Sequence, residues 1–164
     1  MLHTLNPVFD QDVTILILGT FPSIKSREAG FYYYHPQNRF WKVISLLVDR
    51  PIPESIEGKK EMLLKNHIAI WDVIHSCDIS GSNDNSIQNV IPNDIKKLLQ
   101  ASKIEYIYAN GNKAYELYMH YIFPQTRIEI TKLPSTSPAN ATYSLQRLAE
   151  DWKRMIQLKP RSNS

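Results

Sequence analysis

Val13-Thr14-Ile15-Leu16-Ile17-Leu18-Gly19 is a largely β-branched apolar run, without alternation, that a glycine closes. A strand that is apolar on both sides must be covered on both faces, the situation of a strand in a parallel sheet with helices above and below. Further along, residues 68–74 (Ile-Ala-Ile-Trp-Asp-Val-Ile), 104–109 and 127–133 predict three more strands. Helical spacing separates them. Phe40, Val43, Ile44 and Leu47 fall at i, i+3, i+4 and i+7 before Arg50-Pro51 stops the helix. Residues 59–65 predict a short helix, and Asn93 is placed to cap another that carries Ile95, Leu98 and Leu99. Ala114, Leu117, Tyr118 and Tyr121 mark a fourth helix, after the break Asn110-Gly111-Asn112. Leu145, Leu148, Ala149, Trp152, Met155 and Ile156 mark the last. Strands alternating with helices predict an α/β fold: a three-layer α/β/α sandwich with a central, mainly parallel sheet of about four strands.

Such sheets bind ligands beyond the carboxyl ends of their strands, here the loops that start at Gly19, Val73, Asn110 and Leu133. Residues 20–37 have neither helical nor strand periodicity, and so long a loop in a compact domain usually serves a site. It ends in Phe31-Tyr32-Tyr33-Tyr34-His35-Pro36-Gln37-Asn38-Arg39-Phe40-Trp41, an aromatic run with an amide where the helix begins. That composition suits a flat ring.

The 164 residues, 43% of them hydrophobic, predict one domain spanning residues 1–164 with a polar tail at 161–164. Nineteen Lys and Arg against sixteen Asp and Glu give a net charge of +3, compatible with a polyanion without requiring one. The single cysteine, Cys77, excludes an internal disulfide framework, and no CxxC spacing offers a zinc site. A reducing compartment fits, and with no signal-peptide pattern or long apolar span the expectation is a soluble, cytoplasmic protein.

Gly19-Thr20-Phe21-Pro22-Ser23, His35-Pro36-Gln37-Asn38-Arg39-Phe40-Trp41 and Leu133-Pro134-Ser135-Thr136-Ser137 fall in order and at suitable intervals. Together they resemble the uracil-DNA glycosylase superfamily. The HPxNRFW run is similar to the mismatch-specific uracil glycosylases. Tyr33-Tyr34-His35-Pro36-Gln37-Asn38, Trp71-Asp72-Val73 and the Ser-Pro-Ala-Asn stretch ending at Asn140 are more similar to the hypoxanthine-DNA glycosylase branch. The resemblance implies a monofunctional glycosylase that acts on hypoxanthine or uracil in duplex DNA, as a monomer without cofactor or metal. It assigns the catalytic role to Asn38, because Phe21 stands where many members carry an acid or amide, and phenylalanine cannot orient water. It also implies a base pocket of Gly19, Thr20, Phe21, Pro22, Tyr33, His35 and Asp72, with Phe21 and Tyr33 as stacking walls. Ser23, Ser135, Thr136, Ser137 and Asn140 are implied DNA contacts, and Gly111 is read as another because it opens the start of the Lys113 helix, where free N–H groups and the dipole suit a phosphate. N-glycoside hydrolysis builds cationic character on the sugar and negative charge on the departing base, so positioning of water and stabilisation of the base can suffice. An asparagine offers an acceptor for water and donors for the base.

Plainer readings stand beside these. Asn38 precedes a helix and can satisfy its free N–H groups. The tyrosines can be core, and the proline-serine loop can be a connection rich in turn formers. Gly111 can serve a strand-to-helix turn. Asp72, His75, Cys77 and Asp78 lack the spacing of a metal site and are read as a pocket or strand-end acid with loop neighbours. Ser82 and Asp84 match polar positions of the hypoxanthine branch or form a solvated turn. The alternative function is a nucleotide- or phosphate-binding module without glycosylase chemistry, and Phe21 is its best argument.

Overall fold

In the computed structural model, which describes residues 1–3, 5–80 and 86–157, four parallel strands form the central sheet. Their spatial order is β2 (Ile68–Asp72), β1 (Ile15–Gly19), β5 (Tyr106–Asn110), β6 (Thr131–Leu133). Ser82, Asp84 and the tail 161–164 lie outside the described residues. All five residues of β1 are buried, and its side chains alternate between two cores. Ile15 and Ile17 join Phe40, Val43 and Ile44 of α2 (Phe40–Val48), Met62 and Leu63 of α3 (Ile56–Lys65), and Leu148, Trp152 and Met155 of α7 (Leu145–Gln157). Leu16 and Leu18 join Ile95 and Leu98 of α4 (Ile95–Gln100) and Leu117 and Tyr118 of α5 (Asn112–Tyr121). One apolar run thus anchors both helical layers, as its lack of alternation requires.

The structure differs from the sequence reading in four places. The loop 20–37 contains α1 (Ile24–Ala29), whose Ser23 Oγ accepts the Ser26 N–H and whose end is Gly30 at φ 75°. The strand expected at 68–74 breaks at Val73, whose N–H turns to the Gly19 carbonyl at 2.9 Å. Beyond the break, β3 (Ile74–Asp78) pairs antiparallel with β4 (Gln88–Pro92), a hairpin the sequence reading lacks. Asn93 does not cap α4; Asp94 does, accepting the Lys97 N–H. Asn93 is buried and donates to the Asp72 and Ile74 carbonyls at 2.9 and 3.1 Å, so it satisfies backbone groups around the bend. The strand expected at 127–133 shrinks to β6, because the chain first makes the turn of α6 (Phe123–Thr126) and leaves it through Arg127 at φ 57°.

Candidate active site

The carboxyl ends of β1, β2, β5 and β6 open into a cavity of about 530 Å³. Of the site residues named from sequence, Gly19, Thr20, Phe21, Pro22, Ser23, Tyr33, His35, Asn38, Asp72, Ser135, Thr136 and Ser137 line it, and Gly111 and Asn140 do not. Asn110, Tyr32 and Ser26 also line it without having been named for it.

Its geometry turns on Asn38. Helix α2 starts at Phe40, and the residue at its capping position, Arg39, makes no side-chain cap. Asn38 takes that duty from one residue earlier: its Oδ1 accepts the Phe40 N–H at 2.9 Å. The same oxygen accepts a second hydrogen bond from Thr136 Oγ1 at 2.9 Å. Donor and acceptor assignments here are forced. The Thr136 backbone N–H can only donate, so the atom it meets at 3.0 Å is Asn110 Oδ1. Asn110 Nδ2 then donates to Thr136 Oγ1 at 3.0 Å, which leaves the threonine hydrogen for Asn38 Oδ1. Two backbone N–H groups therefore fix the orientation of both amides. The two acceptor directions of the Asn38 oxygen are filled, whereas its Nδ2 hydrogens have no acceptor among the described residues. Toward the cavity, Asn38 is a donor.

Thr136 corrects an expectation. It is fully buried, and its N–H, hydroxyl and carbonyl are all used internally, the last by the Arg39 N–H at 3.1 Å, so it braces the site and has no donor left to offer a phosphate. Thr136→Val should cost about 1–3 kcal/mol, because it strands the buried Asn110 donor, while Thr136→Ser should cost far less; urea midpoints measure both. Ser23 is also engaged, as the cap of α1 with its hydroxyl on Ser26 Oγ. Asn140 Nδ2 closes its own loop onto the Ser135 carbonyl at 3.0 Å. Gly111, at φ 98°, lets the chain pass Ser135: a Cβ there would stand 3.0 Å from that of the serine, and its N–H is bound to the Leu133 carbonyl. Ser135 and Ser137 accept backbone N–H groups in tight turns, and their hydroxyl hydrogens have no acceptor among the described residues.

Arg39 holds the loop in place. Its guanidinium donates to the carbonyls of Tyr143 and Asn140, while Trp152 Nε1 donates to the Pro134 carbonyl at 2.9 Å. The start of α2 and the loop after β6 are thereby one unit, with the Asn38 amide at the junction.

Tyr33 lies over Phe40, ring centroids 4.0 Å apart and planes 19° apart. Phe21 is half-buried, edge-on to His3 with Arg27 over its ring. The Tyr33 hydroxyl is buried beside the Asn110 amide. Burial first, and the Asp72 carboxylate second, hold it far above its ordinary titration range, so it is a neutral O–H. Asp72 is 3% exposed and paired with His3, Nε2 to Oδ2 at 2.9 Å. His35 accepts the Gln37 N–H on Nδ1 and so braces its own turn. Cys77 is buried, with its thiol pushed up chiefly by burial, and His75 beside it in sequence is exposed, so the two do not form a nucleophile pair. Among the described residues no cluster of metal-ligating side chains forms, and no helix is long and apolar enough to cross a membrane.

Sequence reasoning missed Asn110, Arg39 and His3. Asn110 had a signal, an amide that ends an apolar strand at the ligand edge of the sheet. His3 had none, since its partner lies 69 residues away.

The strand ends of this α/β/α sandwich surround a cavity lined by Phe21, Tyr32 and Tyr33 together with the Asn38 and Asn110 amides. The model of the uracil DNA glycosylase superfamily matches residues 7–159, and the chain belongs to that superfamily. It is 34% identical over 147 residues to the hypoxanthine DNA glycosylase of Methanosarcina acetivorans, covering 87% of this chain and 90% of that protein. A protein of the same description from Methanosarcina barkeri is 30% identical over 138 residues, covering 82% and 85%. The solution NMR structure of a Methanosarcina acetivorans protein, provisionally described as a uracil DNA glycosylase, superposes with a TM-score of 0.79 at 30% identity over 95% of this chain and 99% of that one.

Proposed function

We propose that this protein is a monofunctional DNA glycosylase that removes hypoxanthine, and secondarily uracil, from duplex DNA, working as an intracellular monomer without a cofactor. Membership of the superfamily supports the reaction class, and the names of the two Methanosarcina relatives support the choice of hypoxanthine. One observation carries the mechanism: the Asn38 amide, its oxygen spent on Phe40 and Thr136, offers only N–H donors to the cavity.

The target nucleotide leaves the duplex and its base enters the cavity, where Tyr33, backed by Phe40, replaces lost stacking. As the C1′–N bond breaks, its electron pair passes to the base. Asn38 Nδ2 donates to an oxygen or ring nitrogen on which that charge collects, so it stabilises charge that exists only as the bond breaks. Water adds through oxygen to C1′, and its proton goes to the released base or to solvent. Asn38 is the catalytic residue, acting on the leaving group, with water orientation no longer its task. Gly19, Thr20, Phe21, Pro22, His35 and Asp72 complete the pocket, and Ser135 and Ser137 hydroxyls donate to phosphate oxygens beside the flipped nucleotide.

Duplexes containing inosine or uracil, incubated with the protein and then treated with alkali, test this reading. Strand cleavage at inosine, faster than at uracil, is expected; binding with both duplexes intact leaves a binding module instead. Tyr33→Leu should weaken substrate engagement by about 1–3 kcal/mol, the usual worth of one base–aromatic stack, and Tyr33→Phe much less. The concentration dependence of the single-turnover rate measures that loss.

A further inference from the structure

We propose that His3 is a positioning residue of the base site: it grips one oxygen of Asp72 so that the other stays an acceptor, and that acceptor separates deaminated bases from their amino parents. The inference rests on the glycosylase reading and adds the selectivity of its pocket.

The pair is sealed from solvent, with side-chain exposures of 1% and 4%. The His3 tautomer is fixed by the backbone. The Leu5 N–H reaches His3 Nδ1 at 3.1 Å and can only donate, so Nδ1 is the acceptor and the ring hydrogen is on Nε2. Nε2 therefore donates to Asp72 Oδ2 at 2.9 Å. Asp72 Oδ1 is left, and it faces the one position of this wall that has no side chain. A Cβ on Gly19 would stand 2.4 Å from Asp72 Oδ1 and 3.0 Å from the Tyr33 hydroxyl. That hydroxyl is buried beside the Asn110 amide. One acceptor thus remains at this point of the cavity wall.

Its chemistry matches a lactam edge, an N–H next to a carbonyl. Hypoxanthine and uracil present that edge, with the N–H for Asp72 Oδ1. Adenine and cytosine present a bare ring nitrogen and an amino group, which sets a lone pair against the carboxylate and leaves buried groups unpaired. Guanine and thymine share the lactam edge, so this pair screens against amino bases only. Without His3, the buried carboxylate has lost the donor that holds it and turns, so its free oxygen no longer lies in line with the lactam N–H.

The test compares single-turnover release of hypoxanthine with that of purine, the parent base lacking both the oxo group and the N1 hydrogen, from otherwise identical duplexes. In His3→Ala, hypoxanthine release is expected to fall at least about 10-fold, with the hypoxanthine-to-purine ratio falling by a similar factor. His3→Gln, which can accept from Leu5 and donate to Asp72, restores both. Asp72→Asn, which can still accept from His3 while turning a donor to the cavity, moves the ratio toward purine even if His3→Ala fails to fold. Equal slowing of both substrates, or an unchanged ratio in Asp72→Asn, overturns the inference while leaving the glycosylase reading intact. Wild-type protein that releases neither base overturns both.

Discussion

Asn38→Asp is expected to fold as stably as the wild type and to lose base release by about 100- to 1000-fold, the usual cost of removing one preorganised donor from a site of developing charge. The substitution keeps an oxygen where Phe40 N–H and Thr136 Oγ1 need an acceptor, and it puts a negative charge at the start of α2, where the helix dipole favours one. Only the Nδ2 donors disappear. Asn38→Ala removes the acceptor too, so it should add about 1 kcal/mol of destabilisation to the same loss of turnover. A water-orienting amide predicts the reverse, since a carboxylate is the better acceptor and Asn38→Asp would then retain or gain activity. Thermal midpoints and single-turnover rates on an inosine duplex, measured on both variants, separate these outcomes.

The second large effect arises in the core. Trp152 is fully buried in α7, edge-on to Phe40, and its indole N–H holds the Pro134 carbonyl. Trp152→Ala should cost about 3–5 kcal/mol, because the cavity it leaves touches the sheet, α2 and the loop at once. For a chain of this length that lowers Tm by roughly 10–15 °C, a large share of the ordinary stability of about 5–15 kcal/mol. Trp152→Phe is the informative companion. It keeps most of the volume and leaves the Pro134 carbonyl unpaired at about 1–3 kcal/mol. The loop from Pro134 to Thr136 fixes Asn38 through Thr136, so turnover of the Phe variant should drop further than its stability loss alone explains, when both are measured well below its melting midpoint.

What sequence could show followed from how local each signal is. The run before Gly19 announced a strand covered on both faces, and Ile15 and Ile17 do pack in one core while Leu16 and Leu18 pack in the other. Helix α7 was legible because Leu148, Trp152 and Met155 recur on one stripe. Helix α1 was not, since its one buried residue is Ser26, and polar burial leaves no periodic trace. Strand β4 was hidden for a related reason: its residues are exposed or half-buried and it contains Pro92. The break at Val73 was masked by nearly continuous apolar character from Ile68 to Ile74, interrupted only by Asp72, with every residue buried except Trp71.

The site divides along the same line. Three motifs placed its loops around one cavity, and most residues drawn from them line it. Their individual duties depend on partners far away in the chain. Thr136 and Asn38 are 98 residues apart, and only the folded arrangement reveals that a residue read as a phosphate contact consumes the oxygen of the Asn38 amide. In the proposed mechanism Asn38 combines both readings of its sequence position, with its oxygen serving the helix and its nitrogen left for chemistry.

The most direct test observes that nitrogen. With asparagine side chains labelled by ¹⁵N, the Asn38 Nδ2 protons can be followed by NMR as duplex carrying a non-hydrolysable inosine analogue is added. The expected result is a downfield shift and slowed exchange of at least one Nδ2 proton, with the Phe40 amide unchanged. An unmoved Nδ2 pair with a displaced Phe40 amide would mean that the oxygen had been freed for water, contrary to the mechanism proposed here.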